Sequence, residues 1–284
     1  MNITVTYMSG AGNLFTVIDG RNLSLSNKDW KQNSLRLCSG EIKTEGLIII
    51  KNIYLTTQSD SVNLHFDANF YNPDGSFGAM CGNGGRCAVR YALELIDSDN
   101  KFSISYITFT MAGSNYKAIY DNHEICVYFP MPKEKKLNVT VTNNVTSVTG
   151  DYIDVGAQHF VINYKQICYE LPFDNFNLEL FAPSFRNHPE FAPFGANINI
   201  FQIENNIIQL RTFERGVEAE TGACGTGAIS TAISAITNNL AYSPVTIIPT
   251  SKIPLTVGYE PEIALVWLEG SAEFIGQSNF QINF

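Results

Sequence analysis

Met80-Cys81-Gly82-Asn83-Gly84-Gly85-Arg86 returns half a chain later as Ala223-Cys224-Gly225-Thr226-Gly227-Ala228. Each copy is a cysteine followed by Gly-x-Gly, and each leads into a run of helical spacing. Cys87, Ala88, Tyr91, Ala92 and Leu95 follow the first; Ala228, Ile229, Ala232, Ile233 and Ile236 follow the second. A repeat at about half of 284 residues predicts a duplicated unit whose halves each supply one thiol. The second run is small and apolar around most of its circumference, the pattern of a helix surrounded by sheet rather than one lying on a surface.

Outward from the two helices the chain reads as strands. Short β-branched and aromatic runs recur at Ile3–Met8, Phe15–Asp19, Leu47–Lys51, Val62–Phe70, Ile104–Met111, Ile125–Phe129, Phe160–Asn163, Asn197–Ile203, Ile207–Phe213, Val245–Ile248, Ile263–Leu268 and Phe280–Phe284. The expected fold is therefore α/β of the α+β kind, with two pseudo-symmetric domains, each a sheet wrapped around a central α-helix. A length beyond the roughly 250 residues at which one core stops growing agrees with two domains. Asp121-Asn122 offers turn chemistry for a boundary, giving domains 1–120 and 121–270. The Lys-rich stretch within Pro130–Asn144 reads as a solvated loop or an alternative linker.

Composition narrows the function. Apolar residues make up 45% and charged residues 16%, the make-up of a chain with a substantial core. The net charge of −9 and the scattered lysines and arginines argue against a nucleic-acid partner. No segment reads as a signal peptide or membrane span, so no membrane partner and a cytoplasmic address are expected. Cysteines 38, 81, 87, 126, 168 and 224 lack Cys-x2-Cys spacing and the four histidines are isolated, so neither a disulfide framework nor a metal site is expected. Cys38, Cys87, Cys126 and Cys168 read as small buried residues.

Cys81 and Cys224 read differently. At a helix start, unpaired amides and the helix dipole favour negative charge, which lowers a thiol's pKa and also suits a bound carboxylate. An amino acid held with its carboxylate on the amides around Gly82-Asn83 and Gly225-Thr226 could lose its α-proton to one thiolate and regain one from the other thiol, inverting the carbon. Such a pair holds one proton jointly and titrates as a unit. No cofactor is expected, pyridoxal phosphate included.

The two cysteine blocks, together with Ser9-Gly-Ala-Gly-Asn-Leu-Phe15, Tyr71-Asn-Pro-Asp-Gly-Ser76, Gly195-Ala-Asn-Ile-Asn199 and Arg211-Thr-Phe-Glu-Arg-Gly-Val217, closely resemble the diaminopimelate epimerase family, whose members are cofactor-independent racemases. The resemblance implies β-barrel-like domains and a C-terminal segment, 271–284, that returns to complete the first. It implies an isomerase converting LL- to meso-diaminopimelate in lysine and peptidoglycan biosynthesis, with a homodimer left open. It places the catalytic pair at Cys81 and Cys224. Substrate contacts fall at Asn13, Asn72, Gly82, Asn83, Asn197, Glu214, Arg215, Gly225 and Thr226, and His159 is a supporting residue.

One departure bears on the substrate. Where the family usually reads Gly-Asn-Pro-His, this chain has Gly156-Ala157-Gln158-His159, so a methyl replaces an amide at the distal end of the expected substrate. A racemase of another amino acid, histidine or glutamate, using the same thiols is the alternative. A covalent thiol enzyme with Cys224 as nucleophile and His159 as base, and a non-catalytic amino-acid sensor, are the readings from other classes.

Overall fold

A computed structural model describes residues 1–58, 61–78, 80–97, 104–143, 146–167 and 170–282. Cys168 and the end of the expected Phe280–Phe284 strand lie outside these. The chain divides into two compact units, Met1–Tyr128 with Glu269–Phe284, and Phe129–Leu268. Asp121-Asn122, where the sequence suggested a boundary, instead turns a hairpin within the first unit: Tyr120 pairs with Ile125 and Asp121 with Glu124, so the chain stays in its sheet for one more strand.

In the first unit the order is β1 (Asn2–Gly10), β2 (Asn13–Asp19), α1 (Asn27–Cys38), β3 (Leu47–Gln58), β4 (Ser61–Tyr71), α2 (Gly82–Asp97), β5 (Ile104–Met111), β6 (Ser114–Asp121) and β7 (Glu124–Phe129). β1 and β2 pair antiparallel, β2 and β3 parallel, β3 and β4 antiparallel, β4 and β5 parallel, and β5 and β6 antiparallel. The two parallel joins are the ones that carry helices, because a parallel connection must cross over its sheet.

The second unit repeats the scheme. Its elements are β8 (Glu134–Thr142), β9 (Ser147–Asp154), β10 (Gln158–Asn163), α3 (Leu178–Phe181), α4 (Pro183–Arg186), β11 (Asn197–Glu204), β12 (Ile207–Glu214), β13 (Ala219–Thr221), α5 (Gly225–Thr237), β14 (Val245–Ile248) and β15 (Leu255–Glu260), and β16 (Leu265–Ser271) begins in this unit and ends in the first. From β9 onward the pairings run antiparallel (β9 with β10), parallel (β10 with β11), antiparallel (β11 with β12), parallel (β12 with β14) and antiparallel (β14 with β15). The order of senses matches the first unit, and α5 stands where α2 stands. Finally β17 (Glu273–Gln281) returns to the first unit and pairs antiparallel with β1, Ile3 opposite Phe280, as β8 pairs with β9 in the second. The duplication read from two cysteine blocks is thus a duplication of topology.

Each long helix is the centre of its own unit. α2 packs on β1, β2, β3 and β5 and buries Arg86, Cys87, Ala88, Val89 and Ala92 completely. α5 packs on β9, β10, β11, β12, β14 and β15, and every residue from Gly227 to Ala235 is buried. Alanines at 228, 232 and 235 let the strands approach, while Ile229 and Ile233 fill the remaining volume, each stabilising the unit by about 1.5–3 kcal/mol.

Two elements depart from expectation. The Lys-rich 134–142 stretch is a strand rather than a solvated loop: β8 is exposed along nearly its whole length and pairs antiparallel with β9, so its polarity conceals it from pattern reading. α1 carries no clear helical period in the sequence. Its start is fixed by a capping box in which Ser26 accepts from the Asp29 amide while the Asp29 carboxylate accepts from the Ser26 amide. Its inward stripe, Trp30, Asn33, Ser34, Leu37 and Cys38, mixes polar with apolar side chains, which masks the hydrophobic period.

Candidate active site

Each unit carries one cysteine at the same structural position. The Cys81 carbonyl accepts the first helical bond of α2 from the Gly85 amide at 2.7 Å, and the Cys224 carbonyl accepts that of α5 from the Ala228 amide at 2.8 Å. Both are N-cap residues, one step earlier than the first turn, so each thiol stands at the open amide end of its helix. Cys81 is half-buried and Cys224 is 8% exposed. Gly10, at the end of β1, lies flush on the Cys81 helix: a methyl there would sit 2.6 Å from the Asn83 carbonyl oxygen.

Around Cys81 the expected residues form a directed chain. Arg86 Nη2 donates to Asn83 Oδ1 at 2.8 Å, Asn83 Nδ2 donates to Asn13 Oδ1 at 2.9 Å, and Asn13 Nδ2 donates to a Glu45 carboxylate oxygen. Asn13, Asn83 and Arg86 are all buried, so each amide has its orientation set by its neighbours. Asn72 is engaged otherwise: Nδ2 donates to Ser76 Oγ at 2.9 Å and its backbone closes the Asn72–Ser76 turn, which is the turn chemistry of Asn-Pro-Asp-Gly.

Around Cys224 the network is denser. His159, on β10, is completely buried, and burial pushes its pKa down to about 3, so the ring is neutral. Asn199 Oδ1 accepts from Thr212 Oγ1 at 3.0 Å, which turns its amide nitrogen toward His159 Nδ1, also at 3.0 Å. The nearer amide, at Nδ1, assigns the ring proton to Nε2, which points at Thr226 Oγ1 at 3.0 Å; Asn197 Nδ2, 3.4 Å from Nε2, then donates to the Gln158 carbonyl instead. The Thr226 hydroxyl keeps its own proton and lies 3.5 Å from Cys224 Sγ, to which it can donate when that sulfur is a thiolate. Asn197 joins the strand ends: Oδ1 accepts from the Arg215 amide at 2.8 Å and Nδ2 donates to the Gln158 carbonyl at 2.9 Å.

Glu214 is one of the substrate contacts that the resemblance implies. Its carboxylate is hydrogen-bonded to the Thr221 hydroxyl and to the Cys224 thiol, and burial raises its pKa while those bonds pull it back. Arg215 Nη1 donates to Gln158 Oε1 and to the Phe194 carbonyl, both at 3.0 Å, leaving the rest of the guanidinium available for a carboxylate. Gln158, on the residue pair that departs from the family pattern, also donates from Nε2 to Asp154 at 3.1 Å.

The sequence does not mark Asn199, Thr212, Thr221, Gln158, Glu45 or Arg86 as site residues. The signal for the first three was the two-residue strand period. Asn199 shares a face with Asn197 on β11, Thr212 lies opposite Asn199, and Thr221 lies opposite Thr212. Among the described residues no group of three or more His, Cys, Asp or Glu side chains is gathered as metal ligands. No described helix is long and apolar enough to cross a membrane.

Comparison with known proteins places this geometry. Residues 5–127 match the family model for diaminopimelate epimerase. The diaminopimelate epimerase of Aquifex aeolicus is 34% identical over 93% of this chain and 92% of its own, and that of a Hydrogenobaculum species is 32% identical over 98% and 99%. The chain belongs to the diaminopimelate epimerase family. As a family member it is an isomerase of the epimerase type. The fold extends further: a PhzF-family phenazine biosynthesis protein from Bacillus anthracis superposes with a TM-score of 0.67 at 12% identity, covering 99% of this chain and 100% of its own. A hydroxyproline epimerase from Agrobacterium vitis superposes with a TM-score of 0.69 at 12% identity, covering 98% and 92%. The two-unit α+β architecture expected from the sequence is the architecture found.

Proposed function

We propose that this family member inverts the α-carbon of diaminopimelate, LL to meso, by a two-base reaction in which Cys81 and Cys224 serve as base and acid. The observation that carries the reading is that both thiols occupy the N-cap of the central helix of equivalent units. One thiolate takes the α-proton, the opposite thiol gives its proton to the other face, and the pair again holds one proton, now the substrate's and on the other sulfur. The carbanion needs its charge drawn into the α-carboxylate. The amides at Gly82-Asn83 and Gly225-Thr226 are preorganised donors for that group, and they require no reorganisation as charge develops. The Thr226 hydroxyl, aligned by neutral His159, donates to the Cys224 sulfur and so stabilises its thiolate whenever Cys224 is the base. Arg215 provides the bidentate geometry for a carboxylate. No added cofactor should be needed.

Proton NMR of the reduced protein in D2O with LL-diaminopimelate should show loss of the α-proton signal and appearance of the meso isomer. Cys81→Ala and Cys224→Ala should each lower inversion by roughly 10²–10⁴-fold. Exchange with histidine or glutamate alone would reassign the substrate, with Ala157 and Gln158 as the cause. Full activity of Cys81→Ala would refute the two-base mechanism.

A further inference from the structure

The two helices that present the thiols differ in charge at one equivalent buried position. Five residues after Cys81 stands Arg86; five residues after Cys224 stands Ile229. Both side chains are completely buried against the sheet of their own unit. Arg86 donates to the Gly82 carbonyl at 3.3 Å, to Asn83 Oδ1 at 2.8 Å and to the Ser271 carbonyl at 3.4 Å. All three acceptors are neutral, and among the described residues no carboxylate lies within ion-pair distance of the guanidinium. A guanidinium keeps its proton in any protein environment, so this is a permanent charge taken out of water under the first turn of α2. Such a charge costs several kcal/mol unless an anion shares its surroundings.

The charged and titratable groups facing Arg86 are Cys81, Cys87 and Glu124, and Glu124 in turn faces Glu269 and Glu273. Complete burial pushes the Cys87 thiol up to about 12, so it stays protonated. Glu124 is on the exposed side of β7, where solvent weakens its share. Cys81, at the open end of the same helix, is the remaining one of these three able to become an anion, and the Glu45 carboxylate reaches Arg86 only through Asn13 and Asn83. Cys224 has the opposite surroundings: among the described residues no Lys or Arg is buried under its helix, and the Glu214 carboxyl is hydrogen-bonded to its sulfur.

We propose that Arg86 is a positioning residue that acts through Cys81, holding the shared proton off that sulfur so that the resting enzyme carries thiolate at Cys81 and thiol at Cys224. This rests on the reading of the two cysteines as the reacting pair. It adds which of them is charged before substrate arrives, and it assigns a task to a buried arginine that makes no ion pair. The same residue holds Asn83, and through it Asn13, so the charge and the orientation of the donors at this helix start come from one side chain.

The test is site-resolved alkylation by iodoacetamide, read by mass spectrometry on the reduced full-length chain without substrate from pH 5 to 9.5. Cys81 should titrate below the ordinary thiol value of about 8.5 and below Cys224. Arg86→Gln should raise the Cys81 midpoint by a unit or more, a tenfold or greater loss of thiolate near neutrality, without raising that of Cys224. Arg86→Lys should keep the low midpoint. A folded Arg86→Gln protein with an unchanged Cys81 midpoint overturns the proposal. If that variant does not fold, the native protein decides: Cys81 titrating below Cys224 supports the proposal and the reverse order overturns it. Alkylation needs no turnover, so failure of the diaminopimelate assay would leave this result standing, and failure here would leave the substrate reading standing.

Discussion

His159 should leave a signature in the pH dependence of stability. Its ordinary pKa of 6.5 falls to about 3 in the folded chain because the ring is completely buried. The unfolded chain therefore takes up a proton below pH 6.5 that the folded one refuses until about 3. The associated stability is fully present above 6.5 and is lost as pH falls toward 3. At pH 5.0 the unfolded state gains about 2 kcal/mol from this one proton relative to pH 7.5, a figure that hardly changes for any folded value below about 4. Other carboxyl groups titrate in the same window, so the readout is a double difference against His159→Gln, which cannot protonate. The chain has two tryptophans, and Trp267 lies in the same unit as His159, with its indole packed on Gly258. Urea unfolding followed by Trp267 fluorescence in a Trp30→Phe background, at both pH values, should show the parent losing about 2 kcal/mol more than His159→Gln. Equal losses would mean that the histidine is not held neutral, and the Nε2–H donor to Thr226 would go with it.

Two further substitutions probe the same unit. A methyl at Gly227 would lie 2.7 Å from Asn199 Oδ1, 3.1 Å from Cys224 Cβ and 3.2 Å from Thr212 Oγ1, so Gly227→Ala should cost about 1–3 kcal/mol in denaturant unfolding and lower turnover by displacing the amide that orients His159. Arg211 grips both oxygens of Glu220, at 2.8 and 2.6 Å, and the carbonyls of Phe173 and Phe176, at 2.8 and 2.7 Å. Arg211→Ala should cost about 3 kcal/mol in urea unfolding followed at Trp267. Arg211→Lys should fail to restore it, since an ammonium cannot match the planar fork. A cost below about 0.5 kcal/mol would reduce the pair to a surface contact.

The sequence by itself determined the duplication, the two central helices and the cysteine at the start of each, because these are local signals. A cysteine with Gly-x-Gly and a 3.6-residue apolar period needs no distant partner to be recognised, and most of the strands announce themselves by β-branched and aromatic runs. The tertiary structure decided what depends on pairing. β8 is a strand only because β9 supplies its hydrogen bonds, α1 is held by its capping box and by the apolar surface under Trp30 and Leu37, and Asp121-Asn122 is a hairpin because β7 rejoins β6. The roles of Glu214, Asn199 and Arg86 are of the same kind. A carboxylate, an amide and a guanidinium can face substrate, solvent or each other, and the choice is made by desolvation and hydrogen bonding among residues far apart in the chain, as when β10, β11 and β12 bring His159, Asn199 and Thr212 together.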